Sequence, residues 1–301
     1  MRQLVAELEQ AGIGEVRENE PMSRHTTWKI GGPADLLIVP STEEELEAAL
    51  RLCARHGFPW SVLGRGSNTL VSDKGIRGAV IKLGEGFDDA RFEGETVIAG
   101  ASYSFVKLSV MAGKEGLTGL EYAGGIPGSV GGAVYMNAGA HGSDISRILQ
   151  SASVVWEDGS REVLSNEEMK FSYRHSLLQE RRGIITRAVF RLANGDRKEI
   201  AAAMATYKDR RRRTQPLQMA CAGSVFRNPP NDYAARLIEA AGLKGLREGN
   251  AEVSRLHANF IVNHGGAKAE DVLALIKRVQ QTIEQKNGIT LVPEVLLMGE
   301  R

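Results

Sequence analysis

The sequence predicts an α+β fold. A strand, helix, strand succession opens the chain, short β-rich runs fill its middle, and amphipathic helices return near its end. The first run, Ala34 to Pro40, reads as a buried strand. After it, Ser41 and Thr42 stand three residues before Glu44 and Glu45, two overlapping capping boxes. Leu46, Ala49, Leu50 and Cys53 recur at helical spacing until Gly57, and Trp60 to Leu63 reads as the second strand. Shorter β runs follow at 79–81, 96–99, 153–156 and 184–192, with Glu157-Asp158-Gly159-Ser160 as a hairpin turn and one helix around Tyr103 to Lys114. A long helix from Lys198 ends in the basic run Arg210 to Arg213. The composition shift at Thr214-Gln215-Pro216 marks a boundary. Beyond it, helices are expected near Tyr233 to Ala241 and Ala269 to Gln285, then a strand from Leu291 to Leu297.

Composition bounds the function. Lys and Arg total 38 against 37 for Asp and Glu, a formal charge of +1, so no global field recruits nucleic acid or anionic membrane. Any anionic ligand must be held by local groups. Two cysteines, Cys53 and Cys221, cannot build a disulfide framework, and the amino terminus carries no apolar leader, so a cytoplasmic protein is expected. The outlier is glycine, 34 of 301 residues, concentrated in clusters.

The first cluster is Gly64-Arg65-Gly66-Ser67-Asn68, directly after a predicted strand. Its glycines permit close backbone approach to a phosphate, and Ser67 and Asn68 add donors; the alternative is a plain glycine turn. It is a poor Rossmann fingerprint, because the third glycine would fall at Thr69 and no helical pattern follows. The second runs Gly124-Gly125-Ile126-Pro127-Gly128-Ser129-Val130-Gly131-Gly132. A segment with so few side chains forfeits core packing unless something large, such as a flat cofactor, or another backbone lies against it.

Other chemistry is weakly represented. There is no Walker loop and no GxSxG elbow, and six histidines show no metal-ligand spacing, so no metal site is expected. The Arg210 to Arg213 run suits a helix carboxy terminus. Reactive side chains stand in Phe171 to Ser176, Ala222 to Pro229 and Leu291 to Leu296. Glu294, a carboxylate in an apolar run, either faces water or needs a buried partner, for which Arg174 is a candidate; Arg174 equally suits a substrate carboxylate.

Seven segments together resemble one family, the UDP-N-acetylenolpyruvoylglucosamine reductases of bacterial cell-wall synthesis. They are HTTWKIGGPAD at His25 to Asp35, GxGSN at Gly64 to Asn68, GIPGSVGGA at Gly125 to Ala133, YRHS at Tyr173 to Ser176, GSVFRNP at Gly223 to Pro229, HANFIVN at His257 to Asn263 and PEV at Pro293 to Val295. They span nearly the whole chain in the family's order. The resemblance implies an FAD-binding fold of the vanillyl-alcohol oxidase and p-cresol methylhydroxylase type in two subdomains, 1–75 and 76–213, and a substrate domain at 214–301. It implies FAD on Gly64, Arg65, Gly66, Ser67, Asn68, Gly124, Gly125, Ile126, Pro127, Gly128, Ser129 and Gly131. Neither cluster contains a histidine or cysteine, so the FAD is expected to be noncovalent.

The same resemblance implies NADPH as hydride donor and a small-molecule substrate, UDP-N-acetylglucosamine enolpyruvate, with no nucleic acid, membrane or obligate protein partner. Arg174, Ser224 and Glu294 map to the family's catalytic residues, and Tyr173, Arg174 and Asn228 are expected on the substrate. No insertion separates YRHS from the last region, so the chain is similar to the branch without the tyrosine-bearing substrate loop. An alcohol or hydroxy-acid oxidase of the same fold and a non-catalytic flavin-binding module are the alternatives; a binding module needs no proton donor.

Overall fold

The computed structural model describes residues 1–300. The chain divides into two compact units, one of residues 1–18, 36–65 and 78–209, the other of 19–35, 66–77 and those from 210 onward.

In the first unit the expected strand, helix, strand succession is present as Pro33–Val39, Glu43–Arg55 and Trp60–Val62. The two strands are not neighbours, because Ile76–Ile81 lies between them and pairs in parallel with Trp60–Val62. The capping boxes act as one device. The Thr42 hydroxyl accepts from the Glu45 N–H at 3.2 Å, and the Glu45 carboxylate accepts from the Ser41 N–H at 2.8 Å. Leu46, Ala49, Leu50 and Cys53 are the buried stripe the spacing predicts. Burial pushes the Cys53 thiol up to about 11, so it is a small hydrophobe rather than a nucleophile.

The rest of this unit is a five-stranded antiparallel sheet, ordered Arg161–Ser165, Leu149–Trp156, Gly183–Arg191, Thr96–Gly100 and Ala90–Glu93. The expected hairpin turn joins the first two, with Gly159 at φ +81°. Helix Phe105–Glu115 packs into the same core as Trp156 and Phe190. The Ser104 hydroxyl starts it by accepting from the Lys107 N–H, and Gly116, left-handed at φ +77°, ends it. Burying Phe105 and Leu108 contributes roughly 1.5–3 kcal/mol each.

The second unit is built on helix Ala269–Asn287, whose Val272, Leu275, Ile276, Val279 and Ile283 share one core with Trp28 and Phe226. A three-stranded sheet, Arg247–Glu248, Ala251–Val253 and Ile261–Asn263, completes it, and Leu296–Met298 pairs in parallel with Thr69–Val71. The strand expected from Leu291 is shorter. Only Leu296–Met298 is a strand, because Pro293 lacks the N–H that a ladder needs, and Leu291 instead accepts from the Gln280 side chain at 2.8 Å. Helix Arg197–Thr214 closes on its arginines as expected. Among the described residues no helix is long and apolar enough to cross a membrane.

Candidate active site

Gly64 of the first cluster meets Ser129 of the second within the first unit. A methyl group added at Gly64 would lie 2.7 Å from the Ser129 hydroxyl, so this side chain, 65 positions along the chain, can approach only because Gly64 has none. Ser129 is held from several sides. Its hydroxyl accepts from the Gly132 N–H at 3.3 Å and caps the short helix Val130–Tyr135. The flanking Val130 N–H donates to the Tyr103 carbonyl at 2.9 Å, and the Gly131 N–H to the Ala101 carbonyl at 2.8 Å.

The glycines of the second cluster have separable reasons. Gly128 has φ +146°, which side chains rarely tolerate, and its carbonyl accepts from the Phe105 N–H at 3.1 Å. Gly131 sits where a methyl would press on Ala101 at 2.9 Å, and one on Gly124 would touch Met204 and Ser109. Gly125 ends the turn Glu121–Gly125, and the Ile126 N–H, just before Pro127, donates to the Ala123 carbonyl. Tyr122 in that turn was not signalled by the sequence. It is 3 % exposed, its hydroxyl has no protein partner, and burial, reinforced by Asp144, raises its pKa. The fused glycine turns, the capped serine and the orphaned buried phenol suit a rigid ligand rich in acceptors.

Within the second unit the sequence motifs hold one another. Gly66, at φ +63°, sits where a methyl would collide with the His25 carbonyl, and its own carbonyl accepts from the Thr27 N–H at 3.1 Å. The Thr27 hydroxyl donates to the Cys221 carbonyl at 2.7 Å, and the Trp28 indole to Ile261 at 2.8 Å. Three segments converge on Glu294. Its N–H donates to the Val225 carbonyl at 2.7 Å, its carbonyl accepts from the Asn68 amide at 3.2 Å, and Phe226 bridges Pro293. Ser224 and Glu294 therefore stand on paired backbones, Ser224 one residue before the carbonyl that takes the Glu294 N–H.

Asn259, buried at 4 % exposure, locks this pair. Its side chain accepts from the Phe226 N–H at 2.9 Å and donates to the Phe226 carbonyl at 2.8 Å, and its own carbonyl accepts from Val225. Asn259 and the His257 that supports it lie in HANFIVN; no local signal identifies the role, because the target of Asn259 is 33 residues away. Gly223, at φ +74°, has open space where a side chain would be. Asn228 accepts from the Ala234 N–H at 3.1 Å and so opens helix Ala234–Ala240.

Arg174 belongs to the first unit and is left-handed, at φ +58°, in a turn closed by reciprocal Ser172 and His175 backbone bonds. Its Nη2 donates to the Gly139 carbonyl at 3.0 Å, and its guanidinium lies 4.9 Å from the centre of the exposed Tyr173 ring. A non-glycine residue in that conformation stores of order 1–3 kcal/mol, a cost that clusters at working sites. Among the described residues no three His, Cys, Asp or Glu side chains gather as a metal site.

These features define a flavoprotein of the FAD-binding type. Residues 34–165 match the FAD binding domain family, and residues 215–298 match the carboxy-terminal domain of UDP-N-acetylenolpyruvoylglucosamine reductase. A UDP-N-acetylenolpyruvoylglucosamine reductase of Bacillus licheniformis is 53 % identical over 302 residues, covering 100 % of both chains. The crystal structure of the corresponding enzyme of Thermus caldophilus superposes with TM-score 0.82 at 38 % identity, covering 94 % of this chain and 98 % of that one. A glycine-to-alanine variant of berberine bridge enzyme, described as a reticuline dehydrogenase, shares the fold at 13 % identity and TM-score 0.51, over 64 % of this chain and 44 % of its own. The chain belongs to the UDP-N-acetylenolpyruvoylglucosamine reductase family.

Proposed function

We propose that the chain reduces the enolpyruvyl ether of UDP-N-acetylglucosamine to UDP-N-acetylmuramate, a step in peptidoglycan precursor synthesis, with NADPH as hydride donor. The pairing of the Ser224 and Glu294 backbones is the observation that supports it most. FAD, when bound, supplies the hydride chemistry. Gly64, Gly66, Gly128 and Ser129, with their neighbours Arg65, Ser67, Asn68, Gly124, Gly125, Ile126, Pro127 and Gly131, hold the nucleotide without a covalent link. The contact between Gly64 and Ser129 supports a cradle that a side chain would fill.

An enol ether is electron-rich and accepts hydride poorly, so the attached carboxylate must be polarised. Arg174 does this through the parallel hydrogen bonds of its guanidinium, with Tyr173 and Asn228 helping to seat the substrate. Glu294 assists as a hydrogen-bonding acid, since a bare carboxylate beside that of the substrate is repulsive. Ser224 gives a proton to the ether-bearing carbon, which is basic enough to take it as hydride arrives at the terminal carbon. The division 1–75, 76–213 and 214–301 is the functional one in this reading, supported at its last boundary by the match from residue 215. It carries with it a cytoplasmic location and no nucleic-acid, membrane or obligate protein partner.

Ser224→Ala separates the steps. NADPH should bleach the flavin at the wild-type rate, because that step needs no proton from Ser224. Reoxidation by the enolpyruvyl substrate should slow by about 10²–10⁴-fold. Wild-type reoxidation in a single turnover removes the proton-donor role.

A further inference from the structure

The partner that Arg174 meets is itself held in an unusual way. Gly139, whose carbonyl accepts from the Arg174 guanidinium, starts a tight hairpin in which Gly139 and Ala140 pair with Asp144 and Ser143. His141 and Gly142 are left as a two-residue turn with φ +54° and +81°. Glycine adopts that geometry readily; any side chain, histidine and asparagine included, does so at some cost. A second strained pair flanks it. Asn137, at φ +43°, donates from its side chain to the Ser172 carbonyl at 2.9 Å, in the turn that carries Arg174 at φ +58°.

A ring contact works against that cost. The His141 ring lies flat on Tyr207, with centroids 4.0 Å apart and planes 5° from parallel. Tyr207 is half-buried on helix Arg197–Thr214, an element whose one buried side chain is Ile200. The reaction chemistry proposed for this chain uses neither ring.

We propose that the His141–Tyr207 stack is a positioning device for Arg174, anchoring the hairpin so that the Gly139 carbonyl meets the guanidinium at a fixed point. The inference rests on the role assigned to Arg174. A guanidinium on a long stem samples many rotamers, and one carbonyl at a set distance selects among them. A guanidinium held at that point meets the substrate carboxylate in the same way each turnover, where a displacement of about 1 Å is enough to cost a large part of the rate.

The test uses the FAD-loaded protein and five variants. Tyr207→Leu should slow reoxidation by the enolpyruvyl substrate about tenfold and weaken calorimetric binding of that substrate, with flavin reduction by NADPH unchanged. His141→Gly, which removes the ring but suits the turn, should reproduce both effects even if the leucine variant folds poorly. Tyr207→Phe keeps the ring and should recover both. In an Arg174→Lys background, Tyr207→Leu should add nothing. Wild-type behaviour of His141→Gly, equal slowing of both half-reactions, or additive losses in the double variant overturn the proposal. If Arg174→Lys alone leaves reoxidation untouched, the role of Arg174 itself falls, a result distinct from failure of the stack.

Discussion

His257 shows how far a single residue can act from the chemistry. Its Nδ1 accepts from the Asn259 N–H at 3.3 Å, and Asn259 grips Phe226 beside Ser224, so the ring must be neutral at that nitrogen. Burial, helped by the charge of Lys244, holds the imidazole below its ordinary 6.5. The unfolded chain therefore binds the proton more readily. Above pH 6.5 both states are neutral and the contact stabilises in full; below it stability is lost until the folded value is passed. His257→Gln, which cannot titrate, should melt lower than wild type at pH 8, with the gap narrowing towards pH 5. Parallel melting curves across that range contradict the assignment. Ser224, Glu294 and Arg174 could be proposed from the sequence because each sits in a distinctive local string. Asn259 was not, because an asparagine in HANFIVN reads the same whether it clamps a strand or faces water, and its target is fixed only by the fold.

At the scale of elements, the same contrast separates local from distant caps. Thr42 with Glu45, and Ser104 with the Lys107 N–H, are written within four residues of sequence, and the helices begin where those residues predict. Helix Ala269–Asn287 adds a distant partner to a local one, the Asp271 carboxylate that accepts from the Lys268 N–H at 2.9 Å. Asp73, 196 residues earlier, accepts from the Ala269 and Glu270 N–H groups at 2.8 and 3.0 Å, from the loop after strand Thr69–Val71. Sequence periodicity found that helix to within two residues of its end but could not find its distant acceptor. The strand expected from Leu291 failed for a related reason, since hydrophobicity reads Pro293 as part of a run and backbone pairing does not. Removing the Asp73 carboxylate leaves two N–H groups of the first turn without their acceptor and takes a negative charge from the positive end of the helix dipole. Asp73→Ala should cost about 1–2 kcal/mol in urea unfolding, and Asp73→Asn, which keeps one acceptor, roughly half of that. Equal stability of Asp73→Ala and wild type would leave the cap without energetic weight.

For the molecule as a whole, ligand binding and folding are one equilibrium. A formal charge of +1 supplies no long-range attraction for an anionic dinucleotide, so affinity depends on local groups, and the proposed ones centre on the place where Gly64 meets Ser129. FAD at about 100 times its dissociation constant should add about 2.7 kcal/mol to stability, which raises the melting temperature by roughly 5 °C. Gly64→Ala attacks that term directly. The backbone at 64 is not left-handed, so alanine meets no conformational penalty, and the obstacle is the Ser129 hydroxyl at 2.7 Å. Because that hydroxyl is engaged with the Gly132 N–H, it cannot turn away without losing its cap. Gly64→Ala should therefore weaken FAD binding about tenfold, about 1.4 kcal/mol, and lower the melting temperature in FAD by more than that of the apoprotein, which loses only the Ser129 cap. Ser129→Ala alone forfeits the cap, but leaves only the Ser129 Cβ position, 3.8 Å from the added methyl, an ordinary contact. In that background Gly64→Ala should cost nothing further in FAD titration. An additive loss in the double variant means the methyl at 64 excludes the cofactor itself rather than displacing Ser129.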